Sequence, residues 1–219
     1  MARLARLVVP GLPHHVTQRG NRRGQTFFEK GDYALYLDLL ADSAKRARAE
    51  VWAYCLMPNH VHVILVPSDD DGLRRTFAEL HRRYTGFMNA RARTTGHLWQ
   101  GRFGSVVMDE THLMNAVRYV TLNPVRAGLV KRARGWAWSS ARAHLAGEDD
   151  AVVTVKPVLD RIGDFAAFLA EPFDEDTAYA ALRRAESTGR PTGDRDWLRA
   201  LEQRTGRTLA PQKRGPKPK

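Results

Sequence analysis

The feature that most constrains the fold is the run VWAYCLMPNHVHVILV, residues 51–66. Two segments rich in β-branched and aromatic residues flank the turn-forming pair Pro58–Asn59, so the run predicts a strand, a tight turn and a second strand. Successive side chains of a strand point to opposite faces. His60 and His62 therefore share one face, and Val61, Val63 and Leu65 share the other.

The flanking segments extend the pattern. His15 to Gln18 reads as a first strand that ends at the turn-rich Arg19–Gly24. Asp32 is placed to cap a helix running to about Ala49, with Tyr33, Tyr36, Leu37, Leu40, Ala44 and Ala47 at helical spacing. A second helix is expected from about Leu73 to Arg91, then the loop TTGHLWQGRFG and a short strand SVVMD. Thr111 is placed to cap a third helix, and Pro124 to end it. The order β-α-β-β-α-β, then α, predicts an α+β fold of the ferredoxin-like split βαβ type, with one central antiparallel sheet and a tyrosine-bearing helix after its last strand.

The 219 residues carry a formal net charge of +11, and the sequence pI is about 10.3. Such an excess predicts a polyanionic partner. The charge is unevenly spread: residues 111–147 hold six bases and no acid, residues 148–176 two bases and nine acids, and residues 177–219 eleven bases and four acids. The swing predicts a catalytic body over 1–147 that folds by itself, and a C-terminal extension over 148–219. The acidic part of that extension is expected to lie over the basic catalytic face. Residues 177–205 read as helical, and the basic, proline-containing APQKRGPKPK as disordered. Even the most apolar stretch, around Val61–Val66, is too short to span a bilayer, and no signal peptide is legible, so a cytoplasmic, nucleoid-associated protein is expected. The single cysteine, Cys55, excludes an internal disulfide and reads as a buried strand residue.

Several residues are candidates for chemistry. Two neutral imidazoles on one strand face are a ready metal pair, although His-x-His also arises by chance among eight histidines. Tyr119 and Asn123 are four apart on the third helix and so share a face. A tyrosine there can be a nucleophile and an asparagine can offer a carbonyl oxygen to a metal; equally, the tyrosine can pack and the asparagine can cap. Arg19, Arg22 and Arg23 in QRGNRRGQ, and Trp99 and Arg102 in HLWQGRF, suit phosphate contact and base stacking, or else a solvated turn and core aromatics.

Taken together, these runs resemble a known family. CLMPNHVHVILVP is similar to the His-hydrophobic-His motif of single-tyrosine HUH transposases, and RYVTLNPVRAGLV to their tyrosine helix. QRGNRRGQTFF, LWQGRFGSVV and WAWSSARAHL resemble the REP-associated tyrosine transposase branch. The resemblance covers roughly residues 8–147, with the motifs in the family's order.

The resemblance implies that His60 and His62 are metal ligands, that Asn123 supplies a third, amide ligand, and that Tyr119 is the nucleophile. It implies that Arg19, Gly20 and Asn21 form a turn that reads the foot of a DNA hairpin. The ion would be Mg²⁺ or Mn²⁺, and single-stranded or hairpin DNA would be cleaved and rejoined through a 5′-phosphotyrosine, with no nucleotide cofactor. A monomer is expected rather than a homodimer. Two other classes compete: a non-catalytic single-stranded nucleic-acid binder using aromatics on an open sheet, and a small metallohydrolase using His60 and His62. The first needs no metal site beside Tyr119, and the second needs no basic turns.

Overall fold

A computed structural model describes residues 6–173 and 175–209. Four strands, β1 (His14–Arg19), β2 (Ala49–Met57), β3 (His60–Pro67) and β4 (Gly104–Val107), form one antiparallel sheet in the order β2-β3-β1-β4. Helix α1 (Lys30–Ala47) connects β1 to β2, and α2 (Gly72–Ala92) connects β3 to β4. This is the ferredoxin-like plan expected from the sequence.

Strand alternation decides the layers. Leu56, Val61, Val63 and Leu65, with Val16 of β1, pack into one core with the apolar faces of α1 and α2. Cys55, Met57, Ile64 and Val106 point the other way, into a second core with α3 (Glu110–Arg126). His60 and His62 have the parity of Ile64 and so lie on the α3 side. The β1–β3 register sets Thr17 opposite His62 and Arg19 opposite His60, which brings His15 and Arg19 to the same side.

Three helix boundaries differ from expectation. Glu29, not Asp32, caps α1; Asp32 sits one turn in and accepts from the amides of Phe28 and Glu29 at 2.7 and 3.2 Å. Its carboxylate thus satisfies orphan donors from inside the helix, in a capping box, while Arg91 of α2 pairs with it. Asp109, not Thr111, caps α3, accepting from the His112 amide at 2.9 Å. Pro124 does not end α3, which runs on to Arg126. The proline removes one hydrogen bond near the helix end, where the loss is small. The Asn123 carbonyl is still taken by the Ala127 amide at 2.9 Å, and Gly128, at φ +70°, turns the chain away.

Beyond α3 the chain wraps both sides of the sheet. The segment before α4 (Ala141–Ala146) runs beside β2: the Leu56 amide donates to the Trp138 carbonyl at 2.8 Å and the Ser140 amide to the Tyr54 carbonyl at 3.0 Å. Four helices follow: α5 (Lys156–Ile162), α6 (Phe165–Ala170), α7 (Glu175–Thr188) and α8 (Arg195–Thr205). Val158, Phe165, Tyr179 and Leu182 of this extension share one apolar cluster with Trp52, Leu113, Val117 and Tyr119. Arg118 of α3 is buried against the rings of Phe168 and Phe173, 4.2 and 4.6 Å from their centres, and donates to the Glu171 carbonyl at 3.0 Å. The stretch expected to be helical over 177–205 is interrupted after α7, where Thr192 donates to the Val107 carbonyl and accepts from the Asp109 amide, both at 3.0 Å. The basic tail expected to be disordered, 210–219, lies outside the described residues. Among those described, no helix is long and apolar enough to cross a membrane.

Candidate metal and nucleophile site

The site lies between β1, β3 and α3. The His60 and His62 ring centres are 5.0 Å apart, and Tyr119 stands edge-on to His62 at 5.4 Å. The hydrogen-bond partners fix the roles of the ring nitrogens. Asn59 donates its amide nitrogen to the Arg23 carbonyl at 3.0 Å, which leaves its oxygen to accept from Nδ1 of His60 at 2.7 Å. Nε2 of His60 therefore carries the lone pair. Burial and the nearby Arg19 charge pull the pKa of His60 down to about 4. Burial, with His60, His15 and Arg19 behind it, holds His62 well below its ordinary value. Both imidazoles are neutral at neutral pH, the form that binds metals.

Asn123 comes to the same place. Its Nδ2 is 3.1 Å from Nε2 of His62. The residue before a proline is normally pushed out of the helical region. Here it stays in α3, so it keeps the four-residue offset that aligns it with Tyr119. A half-turn of the amide about its own bond exchanges Nδ2 for Oδ1, giving two imidazole nitrogens and one amide oxygen in one locality. Such a mixed nitrogen–oxygen set suits a small divalent ion that retains waters, Mg²⁺ or Mn²⁺.

Tyr119 is largely enclosed. Tyr179 of α7 packs against its ring at 4.9 Å, and the Arg126 guanidinium lies over both rings, 5.3 Å from Tyr119 and 4.4 Å from Tyr179. Burial, and next the charge of Glu186, raise the phenol above its ordinary pKa, while Arg126, Arg183 and Arg19 oppose them.

Two residues near the centre escaped the sequence reading. His15 has its Nε2 2.9 Å from Nδ1 of His62, with the rings stacked at 5.1 Å. Glu186 of α7 places Oε1 3.6 Å from Nδ1 of His15 and 3.8 Å from Nδ1 of His62. Burial pushes its carboxyl up to about 7. The parity of His15 with Arg19 on β1 was legible, but its partner depended on strand register. Glu186 carried no local signal, since only the path of α7 brings it here.

The arginine-rich turn adjoins the site. Gly20 donates to the Asn59 carbonyl and Asn21 to the Leu98 carbonyl, both at 2.8 Å. A Cβ on Gly20 would come within 2.2 Å of the Gly24 carbonyl oxygen, so the turn requires glycine there. Arg22 and Arg23 take left-handed conformations, φ 53° and 61°, and are exposed, as is Arg102. Trp99 corrects its expected role. It is only 7% exposed, packed against His81 and Tyr84, and its backbone bridges Gly20. Its ring supports the turn from behind and is not offered for stacking.

The chain belongs to the family described as Transposase IS200 like, which it matches over residues 8–123. Within that class its similarity is to REP-associated tyrosine transposases. The Escherichia coli K12 protein of that name is 27% identical over 99 residues, 44% of this chain and 57% of the relative. A Haemophilus influenzae protein assigned to the same group is 27% identical over 110 residues, 45% of this chain and 62% of the relative. The chain thus covers less than two thirds of the length of these curated relatives. In fold it is similar to a REP-associated tyrosine transposase solved bound to a REP hairpin, with a TM-score of 0.58 and 23% identity over 70% of this chain and 92% of that one.

Proposed function

We propose that this chain is a DNA strand-transfer enzyme that cleaves and rejoins single-stranded or hairpin DNA through a covalent bond to Tyr119. The observation that carries the reading is the convergence of Tyr119, Asn123, His60 and His62 at one point, beside the exposed Arg22 and Arg23. The hairpin partner is supported by the similarity to a REP-associated tyrosine transposase solved bound to a REP hairpin.

In this reading His60, His62 and Asn123 hold a divalent ion, Mg²⁺ or Mn²⁺. When bound, that ion supplies Lewis-acid withdrawal of charge from the scissile phosphate. The chain's own residues do the rest. The buried setting of Tyr119 restricts its rotamers and holds its ring edge-on to His62. The phenol oxygen forms a bond to phosphorus as the bond from phosphorus to the 3′-oxygen breaks. The proton lost by the phenol is balanced by the one gained by the released 3′-hydroxyl. The 5′-phosphotyrosine keeps the energy of the phosphodiester, so rejoining by a 3′-hydroxyl needs no nucleotide. The Arg19–Gly24 turn fixes backbone phosphates beside the reacting centre.

The competing picture of a passive single-strand binder requires an open sheet, but α1 and α2 cover one face, and α3 with α7 covers the other. Incubation with labelled hairpin DNA and Mn²⁺, resolved under denaturing conditions, tests the proposal. Wild type should give a covalent adduct, and Tyr119→Phe should bind DNA and give none. An adduct of equal yield from Tyr119→Phe would remove Tyr119 from the reaction.

A further inference from the structure

We infer that Glu186 and His15 form a relay that positions His62 from behind, so that the extension supplies part of the metal centre. The inference rests on the metal reading above, and it concerns residues which that reading leaves unused. The chain of contacts has one direction. Asn123 lies at Nε2 of His62, Nδ1 of His62 meets Nε2 of His15 at 2.9 Å, and Nδ1 of His15 faces Oε1 of Glu186 at 3.6 Å. With Nε2 of His62 kept as an acceptor, its proton belongs on Nδ1, where only Nε2 of His15 receives it. His15 must then carry its own proton on Nδ1, the side turned to Glu186.

Burial makes this arrangement consequential. His15 and His62 are each about 1% exposed, and both Nδ1 of His15 and Oε1 of Glu186 are buried with no hydrogen-bond partner. Two such atoms, an N–H and a carboxylate oxygen aimed at each other just beyond bonding distance, complete each other at little cost. Groups behind a ligating imidazole fix its tautomer, orient its ring and raise its basicity. A carboxylate acting through a second imidazole does the same one step removed.

The fold delivers Glu186 deliberately. Tyr179, Leu182 and Ala185 bury the inner face of α7. Its last turn passes Gly104, where a Cβ would meet Thr17 Oγ1 at 3.0 Å and the Glu186 carbonyl at 3.8 Å. The bridge of Thr192 to the end of β4 then pins the chain beyond α7. The same three residues hold donor atoms within 4.8 Å of one another, the spacing of a separate ion site. The 2.9 Å contact with Nε2 of His15 already engages Nδ1 of His62, and Nε2 of His62 faces Asn123.

The test uses the full chain without DNA. Mn²⁺ affinity is measured by electron paramagnetic resonance titration, and the His62 tautomer by ¹⁵N NMR, for wild type, Glu186→Gln, Glu186→Asp and His60→Ala. Wild type should hold His62 with its proton on Nδ1. Glu186→Gln should weaken Mn²⁺ binding about 10-fold and mix the His62 tautomers, and Glu186→Asp, which keeps the charge, should fall between. Circular dichroism melts check that each variant is folded. Unchanged affinity and tautomer in Glu186→Gln, beside lost binding in His60→Ala, overturn the relay alone. Mn²⁺ binding that His60→Ala retains and Glu186→Gln abolishes overturns it in favour of a separate ion site. A wild-type chain that binds no Mn²⁺ overturns the metal reading and the relay with it.

Discussion

Asn123 holds its amide 3.1 Å from Nε2 of His62 although the next residue is proline. The Asn123 side chain is short, so this contact depends on the backbone of α3 staying helical through that position. Asn123→Ala should therefore keep the fold and lower divalent-ion affinity by about 10-fold or more. Asn123→Asp should retain the ion. Calorimetric titration with Mn²⁺ checks both, and an alanine variant with unchanged affinity would show that another group completes the site.

Arg22 and Arg23 spend conformational energy to face solvent, at φ values that side chains with a Cβ seldom adopt. Replacing either by glycine separates charge from strain. Arg22→Gly should leave the melting temperature unchanged or raise it, since glycine is at ease there. DNA affinity should nevertheless fall, and the slope of log K against log salt should shrink by about 0.7–0.9 per lost phosphate contact. An unaltered salt slope in the double variant would take the turn out of the interface.

Buried histidines should make the fold acid-sensitive. His81 is enclosed, with Nε2 3.0 Å from the Tyr36 hydroxyl, and burial lowers its pKa from 6.5 to about 3. His14 is lowered to about 4 by the same cause. Between those values and 6.5 the unfolded chain binds more protons, so stability is complete above about pH 6.5 and declines as pH falls. His81 alone should cost about 2 kcal/mol at pH 5. Thermal melts from pH 8 to pH 5 should show a steep acid-side fall, made shallower by His81→Phe. A melting temperature flat to pH 5 contradicts the assignment.

Truncation near Gly147 tests how far the extension is structural. Removing it would uncover Trp52, Leu113 and Val117 and leave Arg118 without Phe168, Phe173 and Glu171. Fully burying one large apolar side chain contributes about 1.5–3 kcal/mol. The truncated body should accordingly melt far below the full chain or aggregate. A body of undiminished stability would return the extension to the status of a separate unit.

The sheet and its two crossover helices were legible because each rests on local periodicity and turn chemistry, as in VWAYCLMPNHVHVILV. The caps were misjudged for a physical reason. Asp32 and Thr111 are good capping types, but Glu29 and Asp109 stand where the backbone is still extended, and side-chain type alone does not reveal that. Alternation placed His60 and His62 on one face, and helical spacing did the same for Tyr119 and Asn123. That the two pairs meet depends on α3 crossing the sheet beneath β3, a tertiary outcome. His15 and Glu186 are farther from reach, since strand register brings the first and a helix beyond position 148 the second. The sign of the charge swing marked that the extension matters, yet it pointed to the acidic residues 148–176, whereas the carboxylate at the centre comes from α7.

The chain beside β2 has a further consequence. The outer edge of β2 offers carbonyls at Val51, Tyr54 and Leu56 and amides at Tyr54 and Leu56, and each is taken: by the Thr154 amide, the Ser140 amide, the Trp136 indole, the Ser140 hydroxyl and the Trp138 carbonyl. A bare edge strand is a template on which foreign strands can polymerise. Here the template is already used up by the protein's own backbone and side chains, so among the described residues those positions offer no bare ladder through which neighbouring copies could zip into fibres.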